Sequence, residues 1–327
     1  IYTLSLHDAL PIWSALPPIL KRSERTSMVK RESATLIKFK KKITPYFYLT
    51  PTLLLMFVLM VIPIVMVIQY SVMDNVIMNK SPRLIGAGNY FKILTDKNFH
   101  TAVSNTLIFT LVSVVAHMAI GLGFALMLNS PILGSHTKSF FRVIYILPWV
   151  FTAAIIAILW RLLLNPNGVV NYFLETLGVV SEKVEWLGSR KTALGALTFI
   201  NIWSGYPFYM VSLLAGLQGI SADLYEASEV DGATGVQQFF YITVPQLKPI
   251  IVSMAMLDCI WTTQQFSLVW MTTGGGPIRA TEMISTFTYK LAFSKYEFSM
   301  ASASAVFILL ISMILSFFYV RTQVSRD

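Results

Sequence analysis

Within the apolar run from Pro249 to Met271, Asp258, Trp261, Thr262 and Gln265 recur at spacings of three, four and seven residues. On a helix that spacing lines a carboxylate, an indole, a hydroxyl and an amide along one face. Such a stripe suits a polyhydroxylated solute: the carboxylate and amide exchange hydrogen bonds with hydroxyls, and the indole offers a flat apolar face to a pyranose ring. Asp258 is the only acidic residue deep inside a long apolar run of this chain, and an ionisable group in hydrocarbon is costly enough to point to function. An unpaired carboxylate there would repel a phosphate or a uronate, which favours a neutral or amino sugar. The same four residues would also serve to pack polar groups between helices, and their types alone leave both uses open.

Covalent chemistry finds no support elsewhere. Cys259 is the single cysteine, so neither a disulfide nor a thiolate metal site forms within the chain, and His7, His100, His117 and His136 make no ligand spacing. No HExxH, G-x-S-x-G or G-x-x-x-x-G-K-[ST] element occurs; the nearest string to the last, Gly188 to Thr192, lacks the spacing. The expectation is a chain with no catalytic and no metal-binding residues, unable to hydrolyse ATP by itself.

The elements that would position the stripe are membrane helices. Of the 327 residues 55% are hydrophobic and 13% charged, where a soluble domain carries about 25% charged residues. Six apolar stretches, about 45–71, 106–128, 141–164, 193–217, 249–271 and 300–320, are each long enough to cross a hydrocarbon core. Pro63, Pro148 and Pro207 fall inside or near the ends of these stretches as candidate kinks. Six crossings put both termini on one side. Residues 1–45 hold nine basic and three acidic residues, so +6 of the net charge of +9 precedes the first span. This juxtamembrane cluster, which includes Arg22, Arg25, Lys30, Arg31 and Lys38 to Lys42, is not a nucleic-acid surface, and it places both termini in the cytoplasm. Residues 1–44 therefore read as a basic cytoplasmic tail and 45–327 as one membrane domain. The opening string IYTLSLHDALPI looks like translated sequencing-adapter sequence, so residues 1–27 are expected to be non-native, with Met28 as the natural start. Arg161 reads as an interfacial anchor.

An independent marker of orientation lies between the fourth and fifth stretches, at 218–247. Ser221 to Leu247 is polar enough to leave the membrane and reads as two short helices hinged at Gly232. Ser221 caps the first, Asp223 and Glu226 lie in its early turns where the helix dipole favours acid, and Pro245 is expected to stop the second. Ala227, Ser228 and Ala233 are small enough for a partner's surface to approach the backbone. Helices that lie on lipid are usually rich in Lys and Arg, and this segment has neither, so a protein partner suits it better.

The segment closely resembles the EAA loop of membrane subunits of binding-protein-dependent ABC importers. The family's Glu-Ala-Ala, Asp-Gly-Ala and Ile-x-Leu-Pro stand here as Glu226-Ala227-Ser228, Asp231-Gly232-Ala233 and Ile242-Thr243-Val244-Pro245, with Ser228 and Val244 as conservative departures. Leu147-Pro148-Trp149, Trp160 with Asn165-Pro166, Trp203 to Phe208 and Gly274 to Pro277 are similar to the carbohydrate-uptake branch, the maltose-type and glycerol-phosphate-type permeases. Roughly residues 45 to 325 are covered.

The resemblance implies an all-α polytopic membrane protein of six transmembrane helices with a cytoplasmic coupling loop, in a bacterial plasma membrane. It implies that Glu226, Ala227, Ser228, Asp231, Gly232, Ala233 and Pro245 dock on a cytoplasmic ATPase, present in two copies, whose closure swings the membrane helices between inward-open and outward-open states. ATP and magnesium would belong to that ATPase and no cofactor to this chain. A second homologous permease would complete the pathway, and an extracytoplasmic solute-binding protein would deliver the sugar; the Gly274 to Pro277 turn reads either as a contact for that protein or simply as a flexible turn. Extended without gaps from the loop, the resemblance puts Ser204, Gly205 and Phe208, with Asp258, Trp261, Thr262 and Gln265, where the maltose-type family binds sugar, although several side chains differ from the maltose-specific subunit. The competing reading, a self-contained six-helix secondary transporter or channel, accounts for the spans and Asp258 but gives the loop no role, and no internal inverted repeat is evident.

Overall fold

The computed structural model describes residues 44–324, with side chains to Arg321. The basic tail expected at 1–44 lies outside the described residues up to position 43, as do the expected non-native segment 1–27 and Arg326. Among the described residues the regular structure is helical apart from one isolated bridge between Met73 and Leu84. The chain divides between Val65 and Met66 into two units. Helix α1, Thr44–Ser71, is strongly apolar and contains a π turn at Phe57–Val61. The elements below belong to the second unit.

In chain order these are α2 (Gly88–Thr95), α3 (Lys97–Asn129), α4 (Ser135–Val150), α5 (Ala153–Leu163), α6 (Val169–Thr176) and α7 (Ala193–Gln218). They are followed by α8 (Ala222–Val230), α9 (Gly235–Thr263), α10 (Ser267–Thr272), α11 (Ile284–Phe293) and α12 (Phe298–Val324). Helices α1, α3, α9 and α12 are each long and apolar enough to cross a membrane. Helix α7 has 26 residues, about 39 Å, also longer than a hydrocarbon core, but Asn201, Ser204 and Pro207 interrupt its apolar character.

Two of the expected spans take a different form. The third, 141–164, is not one rod: α4 and α5 meet at 99°. Pro148 removes a backbone donor from the last turn of α4, Phe151 and Thr152 are extended, and the Thr152 hydroxyl accepts from Ile155 N–H to start α5. The fifth expected span, 249–271, breaks after Thr263, where Gln264 leaves the helical register before α10 begins. In the other direction α9 is longer than expected, because Pro245 does not stop it. A π turn at Phe239–Thr243 ends two residues before Pro245, just as the π turn of α1 ends two residues before Pro63. A proline ring clashes with the carbonyl four residues earlier, and the wider i to i−5 register lets the helix pass that point unbroken.

Helix α3 is the mast of the second unit. It carries Phe109 into a cluster with Trp160 of α5, Leu197 and Ile200 of α7 and Leu268 of α10. Farther along the chain, its Ala125 and Leu128 meet Tyr209, Met210 and Leu213 of α7 and Leu247 of α9. Its Phe99 and Ala102 meet Ile93 of α2, Phe287 of α11 and Ala301 of α12. The most extensive packing is between α3 and α7, and it depends on close approach. A Cβ at Gly121 of α3 would run into Cβ of Tyr209 and lie 2.9 Å from Met210 N. Lipid supplies no hydrophobic drive between helices, so such small-residue contacts carry the association.

Gly121→Val should therefore force α3 and α7 apart. Overpacking of this kind costs about 1–3 kcal/mol, which lowers the thermal midpoint of the purified protein by about 5 °C. A Cβ at Gly123 meets nothing within 4 Å, so Gly123→Val is the control that should melt with the wild type.

Candidate functional site

Between α3, α4, α5, α7, α9 and α10 lies a cavity of about 240 Å³. Ser204, Gly205, Asp258, Trp261, Thr262 and Gln265 all line it, together with His117, Trp149 and Asn201. Phe208 does not reach the cavity; its ring packs behind Trp261 at 5.4 Å and near Trp149 at 6.2 Å, so three aromatic rings form a shelf beside it. Trp149 and Trp261 remain 55% and 54% exposed, so that shelf opens outward from the chain. Gln265 arrives from the break after α9, not from the seventh position of a continuous helix.

Asp258 is 7% exposed and is not the unpaired carboxylate expected of the sequence. His117 Nδ1 of α3 lies 2.8 Å from its Oδ2, the Tyr209 hydroxyl of α7 donates to Oδ2 at 3.1 Å, and the Thr262 hydroxyl donates to Oδ1 at 2.9 Å. On its other side His117 Nε2 lies 3.0 Å from the Asn201 carbonyl. A carbonyl and a carboxylate only accept, so Nε2 carries one proton and a second lies between Nδ1 and Oδ2. Whichever atom holds that second proton, the pair as a whole is neutral. A neutral pair gives the cavity no reason to repel phosphates or uronates, which corrects that expectation. By spacing, His117 is considered only as a metal ligand and rejected, so this pairing is missed; the signal was present, since it is the only histidine inside one of the six apolar stretches and a buried acid requires a partner.

Gly205 has a packing reason as well as a position. A Cβ there would collide with His117 Nε2, so glycine is what lets the imidazole lie against α7. The Asn201 side-chain Nδ2 is buried with no hydrogen-bond partner among the described residues.

The segment 221–247 forms two helical arms that meet at Gly232, as expected, although the second arm is the start of the long α9, and its motif residues have local structural roles. Ser221 caps α8 through Asp223 N–H. Gly232 has φ +78°, with its N–H bonded to Glu229 O and Ala233 N–H bonded to Ser228 O, which is the Schellman stop that a left-handed glycine permits. Thr234 and Gln237 then make a capping box that starts α9. The two arms are tied: Tyr225 and Thr243 share a hydroxyl hydrogen bond of 2.9 Å, and Gln238 Nε2 donates to Ser228 Oγ at 2.9 Å. Glu226, Ala227, Asp231, Gly232 and Pro245 are exposed, as are the large apolar side chains of Val230, Val236, Phe240 and Tyr241. A cleft of about 280 Å³ runs along Ser228, Gly232, Ala233 and Tyr241.

Away from these two sites, beside the Gly274 to Pro277 turn, lies a second buried acid that sequence reasoning missed. Glu282, 1% exposed, bonds Lys290 Nζ at 2.9 Å and Arg279 Nη1 at 3.1 Å. Arg161 shares a polar cleft with Asn165, Glu185, Gly276 and Pro277.

A multi-pass helical chain with a polar cavity between its helices and an exposed two-helix hinge has the architecture of a transporter's membrane subunit. The model of the family described as binding-protein-dependent transport system inner membrane component matches residues 117–325, and the chain belongs to that family. It is therefore a non-catalytic permease subunit of the inner-membrane type. Over 292 residues, 89% of this chain and 96% of the relative, it is 34% identical to the trehalose/maltose transport system permease protein MalF of Thermococcus litoralis. It is 33% identical to the probable ABC transporter permease protein YurN of Bacillus subtilis over 279 residues, 85% of this chain and 94% of that one. In fold it is similar to a bacterial alginate ABC transporter solved in complex with alginate pentasaccharide-bound periplasmic protein, with a TM-score of 0.74, 24% identity and coverage of 86% and 94%.

Tyr225→Phe removes the hydroxyl tie across the hinge. The loss of about 0.5–1.5 kcal/mol should speed amide hydrogen exchange across 222–243 by about two- to tenfold and leave α3 and α7 unchanged.

Proposed function

We propose that this chain is one of two homologous permease subunits of a bacterial ATP-driven importer, carrying a sugar or oligosaccharide handed over by an external binding protein. The observation that carries the reading is a single helix: α9 runs unbroken from Gly235, at the hinge, to Thr263, beside the cavity. Its 29 residues extend about 43 Å, so a push on the hinge arrives at Asp258, Trp261 and Thr262 as movement of one body. In this reading Glu226, Ala227, Ser228, Asp231, Gly232, Ala233 and Pro245 meet the ATPase, which is present in two copies and holds the ATP and magnesium. The exposed apolar side chains of Val230, Phe240 and Tyr241 supply the contact area, and the Schellman turn at Gly232 fixes the angle between the arms.

The solute class rests on the cavity and on kinship. Aromatic faces beside hydroxyl and amide groups suit a sugar, and the trehalose/maltose permease at 34% identity makes a neutral disaccharide the first solute to try. The outward-facing aromatic shelf supports a second permease across the cavity. Both termini lie in the cytoplasm in this reading, and six crossings result if the bent pair α4 and α5 and helix α7 each count as one.

Capture of the tagged chain from membranes of its source organism, followed by mass spectrometry, tests the assembly. Recovery of an ATPase and a second permease is expected. Glu226→Arg should lower ATPase recovery at least tenfold, and so should Gly232→Pro, because proline cannot adopt a φ of +78°. The second permease should still be recovered with both variants. Wild-type capture of the chain alone, or full ATPase recovery with both variants, would overturn the reading.

A further inference from the structure

We propose that His117 and Asp258 form a neutral brace that positions the cavity wall, and that the Asp258 carboxylate does not bind the solute. The inference deepens the reading of the cavity as a sugar path and assigns its parts. Three groups from three different helices, His117 of α3, Tyr209 of α7 and Thr262 of α9, already occupy the carboxyl group. His117 is equally committed, with both nitrogens engaged and 2% exposure. The pair thus fastens α3, α7 and α9 to one another at the level of the cavity. Gly205 admits the imidazole edge, so the side of α7 that bears Ser204 is set by where His117 lies. What remains open toward a solute is the exposed Trp261 ring, with Ser204 and Gln265 on the same wall. His117 and Asp258 are positioning residues, acting through the helices that carry those groups.

The chemistry predicts an asymmetry that a solute-binding carboxylate would not produce. His117→Leu strips the carboxylate of its proton partner and leaves a buried, uncompensated charge, the costly way to break an ion pair. Asp258→Asn leaves no buried charge: the new amide donates one N–H to Nδ1 of a neutral imidazole and the other to the Tyr209 oxygen, and its oxygen accepts from Thr262. The double variant His117→Leu, Asp258→Asn again has no buried charge, and its amide side chain keeps Tyr209 and Thr262 as partners. Removing the acid should therefore rescue the loss of the histidine.

The experiment uses the whole transporter with its binding protein in proteoliposomes, with thermal midpoints measured on the same preparations. His117→Leu is expected to melt about 5 °C or more below wild type, and the double variant to return at least half of that loss. With radiolabelled trehalose and maltose as probes, Asp258→Asn should keep its apparent KM within threefold of wild type, and the double variant should take up sugar at least tenfold faster than His117→Leu alone. A double variant no more stable than His117→Leu would overturn the brace. An Asp258→Asn protein of wild-type midpoint whose KM rises tenfold would overturn the second half, making Asp258 a solute ligand. A wild-type transporter that takes up no sugar from a neutral disaccharide panel would sink the sugar reading, while the thermal comparison would still decide the brace.

Discussion

A carboxylate inside a helix that crosses hydrocarbon has to be neutralised by the protein itself, because lipid offers neither water nor counter-ion. Here that requirement falls on Asp258, and meeting it takes one group from each of α3, α7 and α9. The consequences spread outward. The imidazole needs a gap in α7, which Gly205 provides, and the α3 and α7 backbones approach closely again at Gly121. Those approaches create the most extensive helix pairing in the unit, and the three apolar clusters along α3 pack the remaining helices around that pair. A single acidic residue thus specifies which helices are neighbours and at what rotation, a use of buried polarity that apolar packing alone would not enforce.

The second constraint is mechanical. In the proposed reading α9 transmits force and has to be continuous, yet it contains Pro245 and Pro249 in its first half. The π turn at Phe239–Thr243 resolves the conflict at Pro245 by widening the register before the ring, and the same device precedes Pro63. Where the chain needs a stop instead, it uses different residues. Gly232 ends α8 in the left-handed region, and Thr152, extended and capping, turns α5 through a right angle from α4. Proline within a membrane helix is therefore not informative by itself about whether the helix ends, since the outcome depends on the register around it.

The same dependence explains which parts of the molecule were legible in the sequence. Apolar run length marked the helices and the hinge segment, because hydropathy and capping residues act locally. Six of the seven residues read as solute-binding do share one cavity, and Phe208 supports it from behind. The 99° bend and the break at Gln264 were not legible, since both turn on backbone conformations that a run of apolar residues does not dictate. The pairing of His117 with Asp258 spans 141 residues and follows from packing, although the need for some partner was legible from Asp258 alone. Glu282 was missed for a related reason: it lies in a loop by sequence and becomes buried only when Lys290 and Arg279 fold over it.

Neutrality of the brace also changes where selectivity has to come from. A free carboxylate would sort solutes by charge across the whole cavity, whereas a neutral pair leaves discrimination to hydrogen-bond geometry and to the shape of the aromatic shelf. That shelf cannot face lipid on its polar side, because the adjoining hydroxyls and amides would then have no partners. Trp149 and Trp261, each more than half exposed beside a polar cavity, are better matched by a water-filled path whose opposite wall belongs to another subunit. In the proposed reading the chain supplies half of a recognition surface. In that reading its half is the rigid one, held by His117 and Asp258 and moved as a unit through α9.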